Sequence, residues 1–120
     1  MMALSESATK QLEALYQKYR DSLPEKIALI KEAFDNSVSQ NYSADSIKEL
    51  KLIVHNLAGS AAMHGFNEVS SCAKTIDRHI GHDDHTDTGD HAWQQLLQDQ
   101  FDKLSSAIEV ATDTEDSIPA

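Results

Sequence analysis

Six histidines and one cysteine are the residues of this 120-residue chain best suited to act as nucleophiles or to bind a transition metal near neutral pH. His55 is set apart by its surroundings. It lies in the run Ile47 to Met63, where Ile47, Leu50, Ile53, Val54, Leu57 and Ala61 fall on one broad arc of a helix turning about 100° per residue. His55 lies outside that arc, and the positions three, four and seven away on its own side hold Lys48, Lys51, Leu52, Ala58, Gly59 and Ala62. A neutral imidazole nitrogen is nucleophilic at physiological pH. Phosphoryl transfer through a loose transition state asks mainly for in-line positioning and nearby cations. Lys51, one turn before His55, is placed to supply such charge, with Lys48 one turn further back. Gly59 costs the helix about 1 kcal/mol relative to alanine. Its missing side chain would let a partner's backbone or a phosphoryl donor approach the imidazole, and relief of crowding between helices is the alternative reading.

The remaining candidates carry less chemistry. His79, His82, His85 and His91, interleaved with Asp83, Asp84, Asp87 and Asp90, offer donor types that zinc or nickel accepts. Their spacing is loose and includes no cysteine, so a solvated loop is the favoured reading and no metal site is assigned. His64, beside Gly65, reads as a helix-end residue interacting with the last carbonyls. Cys72 falls on an apolar helix face and reads as a small buried hydrophobe. Trp93, Phe101 and the tyrosines recur at helical spacing and read as core or groove-lining residues rather than a ligand cage. The chain has no phosphate-binding glycine loop, no Gly-x-Ser-x-Gly elbow and no His-Glu-x-x-His pair, so neither an independent hydrolase nor an ATP-using kinase is supported.

The elements that must position these residues read as helical, because apolar residues three and four apart dominate and no alternating strand pattern competes. Leu12, Leu15, Tyr16, Tyr19 and Leu23 form one stripe, continued past Pro24 by Ile27, Ile30 and Phe34. Ser22 and Glu25 have capping-box spacing, which predicts two helices with a kink at Pro24. The polar segment Asn36 to Asp45 reads as a loop ending in a cap at Ser43, Asp45 or Ser46. The His55 helix follows, with Gly65 placed to end it in a left-handed turn. Asn67 is read as the cap of a helix carrying Val69, Cys72, Ala73, Ile76 and Ile80, closed by Gly81. Asp90 is read as the cap of a last helix with Trp93, Leu96, Leu97, Phe101, Leu104, Ile108 and Val110 inside. The expected fold is all-α: an antiparallel four-helix bundle with an additional N-terminal helix. Residues 8–112 form the expected domain, between a flexible N-terminus (1–7) and a flexible acidic tail (113–120).

Ten basic against twenty acidic residues leave a net charge of −10, which repels nucleic acid and acidic membrane surfaces. A single cysteine permits no internal disulfide and fits a reducing cytosol. No leader-like segment and no run of about 18 apolar residues occurs, so no membrane association is expected, and a cytoplasmic monomer is the reading. Met1-Met2 and the short tail favour a stand-alone chain.

The run His55-Asn56-Leu57-Ala58-Gly59-Ser60-Ala61-Ala62-Met63-His64-Gly65 resembles the signature of the histidine phosphotransfer (HPt) domain family. Its histidine is followed by a leucine two residues later, a glycine four later, two small residues and a second glycine at ten. The likeness extends over roughly Ala8 to Val110, with Leu23-Pro24-Glu25 also familiar. It implies a four-helix bundle with an accessible, phosphorylatable histidine, His55. It implies a phosphohistidine carrier in a two-component phosphorelay, whose partners are receiver domains of response regulators or hybrid histidine kinases. It also implies no nucleotide site and no cofactor in this chain, catalysis coming from the receiver's aspartate and that partner's magnesium ion. Many members place lysine three residues after the histidine, where this chain has Ala58. Lys51 or Lys48 is therefore expected to support the phosphoryl group, and Leu52, Ala58, Gly59 and Ala62 to form the docking surface. The alternatives are a non-catalytic helical docking module for a receiver or kinase and a metal-binding helical protein that uses the histidine-rich connection.

Overall fold

A computed structural model describes residues 6–81 and 90–113, and within them four α-helices: α1 (Glu6–Ser39), α2 (Ala44–Met63), α3 (Asn67–Ile80) and α4 (His91–Asp113). Each helix packs against its neighbours around a ring, α1 on α2, α2 on α3, α3 on α4 and α4 back on α1. The core is the apolar stripe of each: Leu23 and Ile30 from α1, Leu50 and Val54 from α2, Val69, Ala73 and Ile76 from α3, and Leu97 and Leu104 from α4. The expected all-α bundle is the observed one. No described helix is long and apolar enough to cross a membrane.

The N-terminal helix expected in addition to the bundle is continuous with its first helix. Pro24 lies inside α1, with its ring at the surface. The break predicted there does not occur, because Leu23 on one side and Ile30 on the other are both sealed in the core and hold the chain in helical phase. Ser22 caps no restarted helix. Its hydroxyl instead donates back to the Tyr19 carbonyl at 2.6 Å. The 34-residue α1 spans nearly the full 54 Å of the molecule, and its first turns run beyond the packed core, leaving Leu12 and Leu15 exposed rather than buried in the stripe. Leu96 and Val110 of α4 are also exposed, contrary to expectation.

Helix α1 begins at Glu6, inside the segment 1–7 expected to be flexible, and extends to Ser39, so the loop expected over 36–45 shrinks to residues 40–43. Asn41 and Tyr42 both turn left-handed there, and Ser43 caps α2 by accepting from the Ser46 amide. Gly65 (φ 85°) and Gly81 (φ 77°) adopt the left-handed conformations expected at the ends of α2 and α3. Asp90 caps α4 through its bond from the Ala92 amide at 2.8 Å. Asn67 does not cap α3; the N-cap position belongs to Phe66, which is buried in the core.

Candidate functional site

The N-cap at Ser43 and the buried stripe Ile47, Leu50, Val54, Leu57 and Ala61 fix the rotation of α2, which turns the imidazole of His55 outward, 65 % exposed. Facing it across the α2–α3 seam is a residue that sequence reading did not single out. Asp77 of α3 is only 13 % exposed and uses both carboxylate oxygens toward α2. Oδ1 accepts from the Lys51 ammonium at 2.7 Å, and Oδ2 lies 3.0 Å from His55 Nδ1.

Partial burial pushes the Asp77 carboxyl upward, but the hydrogen bonds from His55 and Lys51, together with their charge, outweigh it and hold the group below the ordinary carboxylate value. Asp77 is therefore ionised near neutrality. A carboxylate can only accept, so the bonded Nδ1 must carry the proton. The lone pair of the neutral ring then resides on Nε2, which no described residue engages. The arrangement is an exposed imidazole nucleophile backed by a half-buried anion that is itself tied to a cation.

A signal for Asp77 existed in the sequence. Ser70 and Asp77 stand seven apart on one row of α3 at the edge of its apolar face, and both point at α2. Ser70 donates to the Ala58 carbonyl at 2.8 Å while Asp77 holds Lys51 and His55. Identifying their targets required the register between two helices, which periodicity within one helix does not supply.

Of the residues expected around His55, Lys51 is half-buried through its bond to Asp77, whereas Lys48 is exposed and makes no ion pair with any described residue. Leu52 (61 % exposed), Gly59 and Ala62 face outward. A Cβ added at Gly59 would meet nothing within 4 Å, so the glycine relieves no crowding between helices. Met63, not singled out in sequence as part of this face, is 83 % exposed and continues the row of Leu52 and Gly59. Ala58 is a correction. It is 4 % exposed, packed under α3 at the point where Ser70 grips its carbonyl, and presents nothing to a partner.

Two of the other histidines, His79 and His64, have structural partners. His79 Nε2 donates to the Trp93 carbonyl at 3.0 Å, so that nitrogen carries a proton and offers no lone pair to a metal, and its ring stacks on the indole. His82, His85, Asp83, Asp84 and Asp87 lie outside the described residues. His64 Nδ1 donates to the Ser60 carbonyl at 2.8 Å, closing the end of α2 as expected. Cys72 is half-buried against the core, and burial, then the nearby Glu68 charge, raise its thiol pKa despite Lys103. An open groove between the start of α3 and the end of α4, bordered by Phe66, Cys72, Lys103 and Val110, includes none of His55, Lys51 or Asp77.

Comparison with known proteins adds one match: a model of the Hpt domain family covers residues 14–107. No curated protein and no solved structure matches the chain.

Proposed function

Because the chain belongs to the Hpt domain family, we propose that it is a phosphorelay intermediate of two-component signalling that accepts and donates a phosphoryl group on His55. The observation that carries this reading is the exposed imidazole, 65 % accessible on a face lined by Gly59 and Ala62, with its outer nitrogen unengaged by any described residue. The partners are receiver domains of response regulators or hybrid kinases. Leu52, Gly59 and Ala62, with Met63 beside them, form the docking surface. The receiver brings the phosphorylated aspartate and its magnesium ion, and this chain brings the nucleophile and the cations. Lys51 stands one turn before His55; Asp77 occupies one of its three ammonium protons, leaving two for phosphoryl oxygens. Lys48 adds charge from one turn further away. In this reading the protein is a cytoplasmic monomer that carries the group without a nucleotide or cofactor of its own.

The test is transfer from a phosphorylated receiver. Wild-type protein gains one acid-labile phosphoryl group and His55→Gln gains none. Phosphotransfer that persists in His55→Gln refutes the assignment. Stable docking of a receiver without transfer in either protein favours the non-catalytic module instead.

A further inference from the structure

Residues 44–80, the α2–α3 hairpin, hold four acidic and four basic side chains, so all of the chain's net charge of −10 lies outside them. Three of the hairpin's cations are free. Lys48 on α2 and Lys74 and Arg78 on α3 are exposed and make no ion pair with any described residue. For Lys74 the cause is Asp77, the acid three residues further on, which could otherwise meet it along the helix. Both oxygens of that carboxylate are turned into the seam, one on Lys51 and the other on His55. The Lys74 ammonium is thereby left without an anion among the described residues.

The contacts across the seam fix where Lys74 stands. Ser70 bonds to Ala58, and seven residues later Asp77 bonds to Lys51 and His55. The two helices therefore run antiparallel, and Lys74, midway between those contacts, lies level with His55. The rotations match as well. On the helix wheel His55 stands about 40° from Lys51 and about 60° from Ala58, away from the buried stripe of α2. Lys74 stands about 40° from Ser70 and about 60° from Asp77, away from the buried stripe of α3. Imidazole and ammonium thus flank the seam from opposite helices, at one level and both on the solvent side. Packed helices lie about 8–10 Å apart, a gap that an extended lysine side chain largely spans. Lys51, by contrast, is held by the carboxylate that meets Nδ1, whereas the reactive nitrogen is Nε2.

We propose that Lys74 is a phosphoryl-binding residue of the His55 site, its ammonium reaching across the seam to the oxygens of the group on Nε2. The assignment rests on the reading of His55 as the phosphoryl acceptor. It supplies from α3 the charge that Ala58, buried and uncharged, does not supply from α2. As the Nε2–P bond forms, the P–O bond to the receiver's aspartate breaks and that carboxylate leaves with the electron pair. The three equatorial oxygens stay negative from donor to acceptor. A cation on α3 meets them in the transition state and again in the phosphorylated protein. The charged groups around the phosphoryl group are then Lys48 and Lys51 from α2 and Lys74, Asp77 and Arg78 from α3.

The experiment compares wild type, Lys74→Gln, Lys74→Arg and Arg78→Gln, with circular dichroism confirming the fold. Transfer from one phosphorylated receiver is followed over a range of receiver concentrations. Phosphoramidate, a small donor that needs no receiver, loads His55 for a phosphorus-31 titration of the phosphoryl oxygens, and His55→Gln identifies the resonance. Lys74→Gln should lower the saturating rate about three- to tenfold, the scale of a solvent-screened cation, and leave the half-saturating receiver concentration little changed. It should also raise the second pKa of the phosphoryl group by about 0.3–0.7 unit, because loss of a nearby cation disfavours the dianion. Lys74→Arg should keep most of the wild-type behaviour, and Arg78→Gln, one turn further from His55, should show less of either effect. Lys74→Gln with the saturating rate or the titration unchanged overturns the proposal. So does a rise in the half-saturating concentration alone, which makes Lys74 a docking contact, or a larger loss in Arg78→Gln. Wild-type protein that takes up no phosphoryl group from a receiver refutes the carrier reading instead, and the titration of phosphoramidate-loaded protein still decides whether Lys74 meets the group.

Discussion

Tyr19 lies flat against His64, ring centroids 4.1 Å apart and 7° from parallel, so the long α1 is clasped by the residue that ends α2. The Tyr19 hydroxyl shares a 2.7 Å hydrogen bond with Ser60 Oγ, and Phe66 leans on the same ring at 5.4 Å. Burial raises the phenol pKa and the Ser60 bond only partly offsets this, so the hydroxyl stays protonated at neutral pH.

Tyr19→Phe keeps the stacking and loses the hydroxyl bond. It should destabilise the bundle by about 1 kcal/mol, a fall in Tm of about 4 °C by thermal unfolding, with phosphotransfer unchanged. Tyr19→Ala removes a buried ring and should cost about 3–5 kcal/mol. Equal melting temperatures for wild type and Tyr19→Phe would deny the bond any net role.

Gly59 separates stability from docking. Nothing stands within 4 Å of an added Cβ, so Gly59→Ala gains helix propensity without a clash and should stabilise by about 1 kcal/mol in urea denaturation. Gly59→Glu adds bulk and charge to the face beside His55. Its fold should survive while transfer from a receiver drops sharply, and an unchanged rate would show that the partner does not approach over this glycine.

Asp77 ties stability to acid. Its folded pKa lies below the ordinary value of 3.8, so its contribution is complete above that value and is lost as pH falls through the folded pKa. Asp77→Ala should cost about 1–2 kcal/mol at neutral pH, where it strands the half-buried Lys51. The gap between the two proteins should close progressively below pH of about 4. Urea curves collected across the acid range check this, and a gap that widens on acidification would contradict it.

On the proposed function the two lysines make unequal claims on the phosphoryl oxygens. Lys51→Gln should slow transfer by roughly five- to tenfold at low salt, an effect nearer ~1 kcal/mol than several because the site is screened by solvent. Lys48→Gln should do less, and raising the salt should shrink both losses. A larger loss in Lys48→Gln would assign the role to that exposed cation, which makes no ion pair with any described residue.

Helix content, the turns at Gly65 and Gly81, the cap at Asp90, a cap for α2 among Ser43, Asp45 and Ser46, and the outward face of His55 were all legible in sequence, because each depends on residues within a turn or two of one another. What was not legible depended on other helices. Pro24 suggested a break on local grounds, and tertiary packing of Leu23 and Ile30 overrode it. Ala58 lies only about 20° beyond Ile47 on the helix wheel, and whether that edge is open or covered is decided by α3, whose Ser70 covers it. Asp77 looked like one more acidic residue until two helices in register brought it to His55.

The turn at 64–66 that joins α2 to α3 has a consequence for assembly and inheritance. His55 and Asp77 are 22 residues apart and Lys51 and Asp77 are 26 apart, yet nearly all of that intervening chain is helix, so a single short turn brings the three together. Little loop entropy is spent closing the site, and no side chain of α1 or α4 belongs to it. On the proposed function the reactive unit is one helical hairpin, able to form early in folding, while the two outer helices are free to diverge in surface sequence without disturbing His55 or Asp77.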